Sequence, residues 1–364
     1  MMKEKITNWI TPKRIAFFLT IVYLGSLIPV LWIGWYNYPS ADDYSIGSNC
    51  RQVWVNSHNL FAVLGAGIAR AAEDWVNWMG YFTSNFLMSV PPSVFGERFY
   101  VLTVWIMVSM LSLSTWYLLR NIFVKVFKAD KYISHSIIMC MLFVTVQCMV
   151  GRVEAFYWYA GAANYMLIHS LSLFFFGVLI AAVYDRGKRR IADLVLASIL
   201  GFLVGGGNQM TALNVTVIML VVIGFGVALK KWKEYKPLLV PIAFSLFGFV
   251  AMCFGVFAAV ECIYGNLWVP IVLFAAFAVI IVLICVFKRN KWYIPVVACA
   301  FALLGVLLTY MQLFAFDRRE IVSENVTLTG RVSDVGRNGN AVNKLYLEDC
   351  ATEDYRLPGR VEMY

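Results

Sequence analysis

Long apolar stretches without charged residues recur along this chain, and they constrain its fold more than any other feature. A helix of about 20 apolar residues crosses the roughly 30 Å hydrocarbon layer of a membrane. Of the 364 residues, 61% are hydrophobic and 14% are charged, whereas ordinary soluble proteins are about 25% charged. The sequence therefore predicts an integral membrane protein and leaves no room for a separate soluble domain of ordinary size.

The hydropathy pattern predicts an all-α polytopic membrane protein with about nine transmembrane helices. The predicted spans cover residues 15–36, 100–119, 133–150, 162–184, 191–206, 209–229, 237–259, 267–287 and 293–315. The fifth span is short and is followed by the tight turn GGGNQ, so this part of the chain is also compatible with one re-entrant hairpin.

The loops between the predicted spans differ in their basic residues. Lys and Arg concentrate in alternate loops such as RGKRR, KKWKEYK and KRNK, whereas GRVEAFYWYAGAANY, GGGNQM and ECIYGN together hold one Arg. Because cytoplasmic loops are enriched in Lys and Arg, the pattern predicts a cytoplasmic N-terminus and an extracytoplasmic C-terminal tail. This distribution accounts for the net charge of +9, and we expect no nucleic-acid partner.

Four segments of the chain differ in character. Residues 1–36 hold the cytoplasmic N-terminus and the first span, and residues 37–99 form a long external loop. Residues 100–315 form a bundle of about eight further helices, and residues 316–364 form a polar external tail. In the tail, ENVTLTGRVSDV and NKLYLED have the residue pattern of strands, and the turn-like GRNGN separates them.

The long external loop has a helical pattern that extends from residue 58 to residue 88. One face carries Arg70, Asp74, Asn77, Tyr81 and Ser84 or Asn85, and the other carries Leu64, Trp75, Trp78, Phe82 and Phe86. Such a sequence predicts an amphipathic helix that lies along the outer membrane interface. We expect this helix to end near Pro91 and Pro92, because proline interrupts helices.

Two adjacent carboxylates, Asp42 and Asp43, follow the first span within the stretch YPSADDYS. Like charges repel, so we expect the pKa of one of them to rise. A carboxylate in this position is suited to act as a general base or to bind a divalent metal. The alternative is an Asx turn after Pro39, with both carboxylates exposed to water.

Arg152 is the second residue of the stretch GRVEAFYWYAGAANY and has two plausible roles. It is suited to bind a phosphate through its guanidinium fork, or to lie among lipid head groups. The aromatic residues of this stretch are compatible with stacking on a sugar ring and also with a membrane-interface belt. Asn164, Asn208 and Gln209 are neutral groups that either bind hydroxyls or bond neighbouring helices together.

The sequence lacks several motifs of soluble enzymes and has few ionisable residues within the predicted spans. It has no P-loop, no HExxH and no Cys/His cluster with zinc spacing. Within the spans, the ionisable residues are chiefly Asp193, at a cytoplasmic end, and His169. Proton-coupled transporters usually carry buried charged residues at such depths, so this scarcity disfavours a transporter.

These features resemble the GT-C superfamily of membrane glycosyltransferases, which keep catalytic acidic residues in the first external loop, directly after the first span. Asp42 and Asp43 match that acidic position, and residues 58–88 match the interfacial helix that follows it. The sequence is also similar to an uncharacterised bacterial family of polytopic membrane proteins. The shared motifs comprise the DD pair and Trp78, Gly80, Tyr81, Leu87, Arg152, Tyr157, Trp158, Gly161, Asn164 and Tyr165.

The resemblance implies an integral protein of a bacterial plasma membrane. It would move a hexosyl or pentosyl group from a polyprenyl-phosphate donor to a cell-envelope acceptor on the extracytoplasmic face. Asp42 or Asp43 would be the base, and Arg152 or Arg70 would neutralise the phosphate. If a divalent ion such as Mg²⁺ or Mn²⁺ takes part, the Asp pair would hold it. The expected substrate contacts are Glu154, Tyr157, Trp158, Asn164, Tyr165, Asp74, Trp78, Tyr81, Asn208 and Gln209.

Two other functions remain compatible with the sequence. A bundle of many spans with Gly and Asn in its middle is also expected of a transporter or flippase for a polar lipid or polymer. A non-catalytic assembly protein of the cell envelope would not require the external acidic residues to converge. All three interpretations predict contact with membrane lipids.

Overall fold

The structure, a computed structural model, describes residues 11–228, 235–264, 329–338, 341–351 and 361–363. The chain divides into two compact units, Met1–Val256 and Phe257–Tyr364.

Helices make up the described part of the first unit, and the last of them continues to Tyr264. They are α1 (Pro12–Ile33), α2 (Asp42–Ser57), α3 (Leu60–Asn77), α4 (Phe82–Ser89), α5 (Leu102–Arg120), α6 (Lys131–Gln147), α7 (Tyr159–Tyr184), α8 (Gly187–Gly205), α9 (Gln209–Ala228) and α10 (Leu239–Tyr264). Short 3₁₀ or π-helical segments lie beside or between them, at Gly34–Tyr36, Pro92–Phe95, Glu97–Val101, Asn121–Val126, Val153–Tyr157 and Lys236–Leu238. A π-helical segment, Ala163–Leu167, lies within α7.

Four helical segments of the described residues are long and apolar enough to cross a membrane. They are Pro12–Tyr36, Glu97–Val126, Tyr159–Tyr184 and Lys236–Val256, whereas Lys131–Gln147 and Gln209–Gly224 are apolar but shorter. These four segments correspond to the first, second, fourth and seventh predicted spans, and they support the prediction of a helical membrane protein. The predicted spans at 267–287 and 293–315 lie outside the described residues, so the count of about nine stays a prediction.

Small residues allow the helices of the first unit to approach closely. A Cβ atom at Gly205 in α8 would lie 2.4 Å from the Ser245 carbonyl oxygen of α10, and one at Gly248 would lie 2.4 Å from the Phe202 carbonyl oxygen. Backbone contact at this distance requires residues without side chains. Gly205, the first glycine of the GGGNQ turn, therefore allows α8 to pack closely against α10.

The stretch predicted to form one interfacial helix forms two helices instead. The break between α3 and α4 contains Gly80, whose φ of +71° favours glycine. A Cβ atom at Gly80 would lie 2.4 Å from the Met252 carbonyl oxygen of α10. The single helix over residues 58–88 is therefore wrong, because the chain bends where α10 approaches the backbone. The predicted end of the helix near Pro91 is confirmed, since α4 ends at Ser89.

Burial on α3 and α4 also differs from the predicted amphipathic pattern. Asp74, Ser84 and Asn85 lie on the predicted polar face but are buried, whereas Trp75 and Phe82 of the predicted apolar face are only partly buried. Hydrophobic periodicity predicts a buried apolar face for a helix that packs on one side. Contacts with α7 and α10 on other sides of this segment override that rule.

The described part of the second unit contains an antiparallel sheet with strand order β1 (Thr329–Asn338), β2 (Ala341–Ala351) and β3 (Val361–Met363). In β1 and β2, Asn338 pairs with Ala341 and Thr329 with Ala351. The two predicted strands are thus confirmed with shifted bounds. The all-α class holds for the described part of the first unit and not for this sheet.

Candidate functional site: the acidic pair after the first span

Asp42 and Asp43 begin α2, and their carboxylates lie in different environments. Asp43 is only 2% exposed, whereas Asp42 is exposed. Adjacent helical residues point about 100° apart, because 3.6 residues make one turn. One carboxylate of the pair therefore faces the protein interior while the other remains accessible.

The Asp43 carboxylate joins three distant parts of the chain. Its Oδ1 accepts a hydrogen bond of 2.8 Å from the Ala160 N–H, and its Oδ2 accepts one of 3.1 Å from the Ser40 N–H. The Tyr100 hydroxyl also donates to Oδ2 and accepts a bond of 2.9 Å from the Tyr159 N–H. Asp43 and Tyr100 together satisfy the first two N–H groups of α7, which have no partner within their own helix.

Burial determines the protonation behaviour of Asp43. It raises the pKa of this carboxyl above its ordinary value, while the hydrogen bonds from Tyr100, Ser40 and Ala160 lower it and the nearby charge of Asp42 raises it. This direction agrees with the predicted rise of one pKa in the pair, but burial is its main cause and repulsion by Asp42 contributes least. The Asx turn with two exposed carboxylates is wrong, because Asp43 faces inward.

Arg70 does not present a free guanidinium fork for a phosphate. Its Nε lies 3.0 Å from Asp74 Oδ2, and its Nη2 lies 3.0 Å from Asp74 Oδ1. Nη1 lies 4.0 Å from Glu73 Oε2. Burial raises the pKa of Asp74, and the Arg70 charge partly offsets this effect. These two predicted site residues bind each other, so the assignment of Arg70 to the donor phosphate loses its basis.

Arg152 and Glu154 are both exposed and lie on the segment that precedes α7. Arg152 Nη2 donates a hydrogen bond to the Gln147 carbonyl oxygen. Among the contacts described for residues 11–256, none joins Arg152 to Asp43. Asp43 bonds to the first turn of α7 and Arg152 lies on the segment before α7, but the contacts of the described residues include none between these two side chains.

The aromatic residues that follow Arg152 connect this segment to the end of α1. The Tyr157 hydroxyl donates a bond of 2.8 Å to the Val30 carbonyl oxygen, and Asn37 Nδ2 donates one of 2.6 Å to the Tyr157 carbonyl oxygen. Trp158 is partly buried, whereas Tyr165 is 60% exposed. The residues before Asp42 and the residues around Tyr157 are therefore held side by side.

Two further pairs of predicted site residues lie in contact. Asn208 Nδ2 donates a bond of 2.6 Å to the Asn164 carbonyl oxygen, while Asn208 Oδ1 accepts one of 2.9 Å from the Thr211 N–H. The Gln209 backbone bonds to Tyr81, whose pKa burial raises to about 12, with Tyr165 adding a smaller increase. Asn208 thus caps α9 and joins it to α7, which is the helix-bonding role that the sequence left open.

The two carboxylates of the acidic pair lie in different surroundings, which concerns the predicted metal site. No group of three or more His, Cys, Asp or Glu side chains in the described residues is arranged to hold a metal. Asp43 faces inward and its two oxygens accept three hydrogen bonds, whereas Asp42 is exposed. The Mg²⁺ or Mn²⁺ site of the Asp pair stays a prediction.

Trp78, the remaining predicted substrate contact, is partly buried against the hydrophobic core.

Comparisons with family models, curated proteins and solved structures found no match to this chain.

Sequence reasoning missed Tyr100, which lies at the start of the second candidate span and is fully buried. A tyrosine at that position is typical of a membrane-interface belt, and its spacing from Asp43 carries no signal of their contact. It also missed the burial of Ser84 and Asn85 in α4, because both fit the polar face of the predicted helix.

Proposed function

We propose that this chain is a membrane glycosyltransferase of the GT-C type, in which Asp42 acts as the general base. The single observation that supports this proposal is the difference within the acidic pair. Asp43 is fixed in the interior by Tyr100, Ser40 and Ala160, so Asp42 is held at a defined place beside the first candidate span. An immobile neighbour of this kind preorganises an exposed catalytic group.

The chemistry of the proposed reaction requires few protein groups. A lipid phosphate is a good leaving group, so a sugar transfer needs a base for the acceptor hydroxyl and positive charge near the departing phosphate. Asp42 is exposed and accessible to an acceptor hydroxyl. Exposed aromatic side chains before and after it are suited to the membrane interface or to a sugar ring: Trp35, Tyr36, Tyr38 and Tyr44.

Arg152 remains the proposed partner of the donor phosphate. The bond between Asn37 and Tyr157 and the bond between Asp43 and Ala160 hold the Asp42 segment beside the segment that carries Arg152. The Arg152 side chain is exposed, and one of its N–H donors binds the Gln147 carbonyl oxygen. A planar guanidinium has five N–H donors, so this single bond leaves others for a phosphate.

The proposal is tested by separate substitutions of the two carboxylates. The variants Asp42→Asn, Asp43→Asn and Glu73→Gln are reconstituted in liposomes with polyprenyl phosphates that carry glucose, galactose, mannose, N-acetylglucosamine or arabinose. Transfer to a bacterial envelope fraction is followed by radiolabel. We expect Asp42→Asn to remain folded and to lose about 10²-fold or more of its activity. Glu73→Gln, which changes another exposed acid, should retain it.

Two outcomes would reject the proposed function. One is full transfer activity in Asp42→Asn, and the other is a wild-type protein that transfers none of these sugars. Thermal unfolding of each variant separates a catalytic loss from a folding defect.

One observation favours a second candidate, a non-catalytic assembly protein of the cell envelope. Both oxygens of Asp43 are occupied: Oδ1 caps α7 at Ala160, and Oδ2 accepts bonds from Ser40 and Tyr100. Among the described residues, no contact joins Asp43 to Arg152. A protein of this kind would need Asp43 for stability and would not need Asp42. Wild-type envelope assembly in a cell that carries Asp42→Asn would support this candidate.

A further inference from the structure

Helices α2 and α3 pack against each other, but the faces that they expose differ in character. The Cys50 thiol of α2 donates a bond of 3.8 Å to the Val63 carbonyl oxygen of α3, and both residues are fully buried. Away from this contact, the exposed residues of α2 are mainly polar and those of α3 are mainly apolar. The exposed polar residues of α2 include Asp42, Ser45, Ser48, Asn49, Gln52 and Asn56.

The exposed face of α3 is an apolar stripe that follows the helix over successive turns. Phe61 is 82% exposed and Ile68 is 63% exposed, and a Cβ atom at Gly65 would meet no atom within 4 Å. Contiguous exposed apolar surfaces mark contacts with a membrane or with another protein. We call this surface the α3 outer stripe: Phe61, Gly65, Ile68, Ala69, Ala72 and Val76.

The charged residues of α3 lie beside or opposite the outer stripe. Residues 60–69 contain no charged or polar side chain. Arg70 follows Ile68 by two residues and therefore lies on the other side of the helix, where it binds the buried Asp74. Glu73 follows Ala72 directly and lies at the margin of the stripe. An apolar stripe with charges at its margin is typical of a helix that lies in a membrane interface.

Contacts with α10 connect α3 to a candidate membrane span. Trp75 Nε1 donates a bond of 2.9 Å to the Ala251 carbonyl oxygen, and a Cβ atom at Gly255 would lie 2.5 Å from Trp75 Cδ1. Ala251 and Gly255 both belong to the end of the candidate span Lys236–Val256. The end of a span lies where the hydrocarbon layer meets the head groups, so these contacts place α3 beside that boundary.

The exposure of the outer stripe equals that of the candidate spans themselves. In the first candidate span, Phe17 is 68% exposed and Ile28 is 65% exposed. The candidate span that contacts Trp75 likewise exposes Phe247. Helix α3 thus offers its surroundings the same kind of surface as the segments that cross a membrane. This similarity, together with the contact between α3 and α10, favours lipid as the partner of the stripe.

We propose that the α3 outer stripe inserts among the acyl chains of the adjacent membrane leaflet, while the polar face of α2 meets water. This face differs from the one that the sequence assigned to the membrane, since Trp75 and Phe82 of that face are partly buried. The inference does not depend on the proposed sugar transfer. Because α2 packs on α3, insertion of α3 holds α2 and Asp42 at the membrane surface.

Photo-crosslinking to lipid tests this inference. The amino acid p-benzoylphenylalanine replaces one residue at a time, at Phe61, Ile68, Phe247 or Gln52, and each full-length protein is placed in liposomes of tritiated phosphatidylcholine. Illuminated benzophenone forms a bond to a C–H carbon and does not consume water, so it labels a position that contacts acyl chains. All four positions are exposed, and thermal unfolding establishes that each protein is folded.

We expect tritium per protein at Phe61 and Ile68 to exceed that at Gln52 by about 10-fold or more, and to lie within about threefold of that at Phe247. Labelling at Phe61 and Ile68 as low as at Gln52 would overturn the inference. Equal labelling at Gln52 and Phe61 would also overturn it, because α2 would then lie in lipid as well. Crosslinked pairs of protein chains in place of labelled lipid would assign the stripe to a second copy of this chain.

Discussion

The two ends of α7 each hold a carboxylate, and the chain stabilises the two in different ways. At the N-terminus, Asp43 accepts hydrogen bonds from the neutral Tyr100 hydroxyl and from backbone N–H groups. At the C-terminus, Asp185 Oδ1 lies 2.8 Å from Lys125 Nζ, and its Oδ2 lies 3.0 Å from Arg189 Nε. The second contact lacks hydrogen-bond geometry, so it is an ion pair only.

The surroundings of the two carboxylates explain why they have different partners. The N-terminus of α7 carries a partial positive charge that favours Asp43, whereas Asp185 lies between the C-terminus of α7, which disfavours it, and the N-terminus of α8 at Gly187. Lys125 and Arg189 also lie beside Asp185, whereas the described hydrogen-bond donors to Asp43 are all neutral. This difference teaches that neutral donors are sufficient to hold Asp43 at the N-terminus of α7.

The pKa values of the two carboxyls differ in direction because cations lie beside Asp185 and the described donors to Asp43 are neutral. Burial raises the pKa of Asp43, and its hydrogen bonds offset only part of this effect. Burial also acts to raise the pKa of Asp185, but Lys125 and Arg189 outweigh it and leave the pKa below its ordinary value. Substitutions at each end of α7, and the dependence of stability on pH, therefore test this difference between Asp43 and Asp185.

Replacement of Asp43 should produce the largest effect. Asp43→Leu removes the acceptor of three buried or partly buried donors, which belong to Tyr100, Ser40 and Ala160. We expect the free energy of unfolding to fall by about 3–5 kcal/mol, because buried donors without partners are costly. Denaturant unfolding in detergent measures the change. Asp42→Ala should cost about 0.5 kcal/mol or less, and equal losses in both variants would contradict the difference in burial.

Tyr100→Phe should have the second largest effect. The tyrosine hydroxyl both donates to Asp43 and accepts from the Tyr159 N–H, so the variant leaves two polar groups without that partner. We expect a loss of about 2 kcal/mol in the same unfolding measurement. Tyr44→Phe is the matched control, since Tyr44 is 54% exposed. A Tyr100→Phe variant as stable as this control would show that the hydroxyl does not support α7.

At the other end, the two cations should differ in importance. Lys125→Met should lower the free energy of unfolding by about 1–2 kcal/mol, because the Lys125 and Asp185 side chains are only 22% and 14% exposed. Arg189 is 76% exposed, so water screens its contact and Arg189→Met should cost less than about 0.5 kcal/mol. The reverse order in thermal unfolding would show that Asp185 depends on the exposed partner.

The pH dependence should have opposite signs at the two ends, with effects of about 1 kcal/mol or less. The Asp185 pKa is lowered, so its contribution is present above the unfolded value of 3.8 and is lost as the pH falls through the folded pKa. The Asp43 pKa is raised, so ionisation of Asp43 lowers stability as the pH rises from 3.8 through the folded pKa.

Unfolding temperatures between pH 3 and pH 7 would measure this difference. Stability relative to Asp43→Asn should increase as the pH falls toward 3.8. Stability relative to Asp185→Asn, with Asp193→Asn present in both proteins because Asp193 interacts with Asp185, should stay constant down to about 3.8 and then decrease. Parallel curves for the two comparisons would be inconsistent with the opposite pKa directions.

The sequence predicted the helical membrane class and four of the spans because length and hydropathy are local properties. It also placed the acidic pair directly after the first span and predicted the two strands beside GRNGN, since both depend on neighbouring residues. The bend at Gly80 was missed because the close approach of Met252 in α10 is not a local property. The bidentate pair of Arg70 and Asp74 has the spacing i,i+4 and was predictable in principle.

The sequence by itself determined that this chain contains membrane-spanning helices and that two carboxylates follow the first of them. Only the tertiary structure decided which carboxylate is buried and which is exposed. The physical reason is that the partners of Asp43 are Tyr100 and Ala160, which are 57 and 117 residues away. Chain folding brings them together at the N-terminus of α7, and hydropathy does not encode that contact.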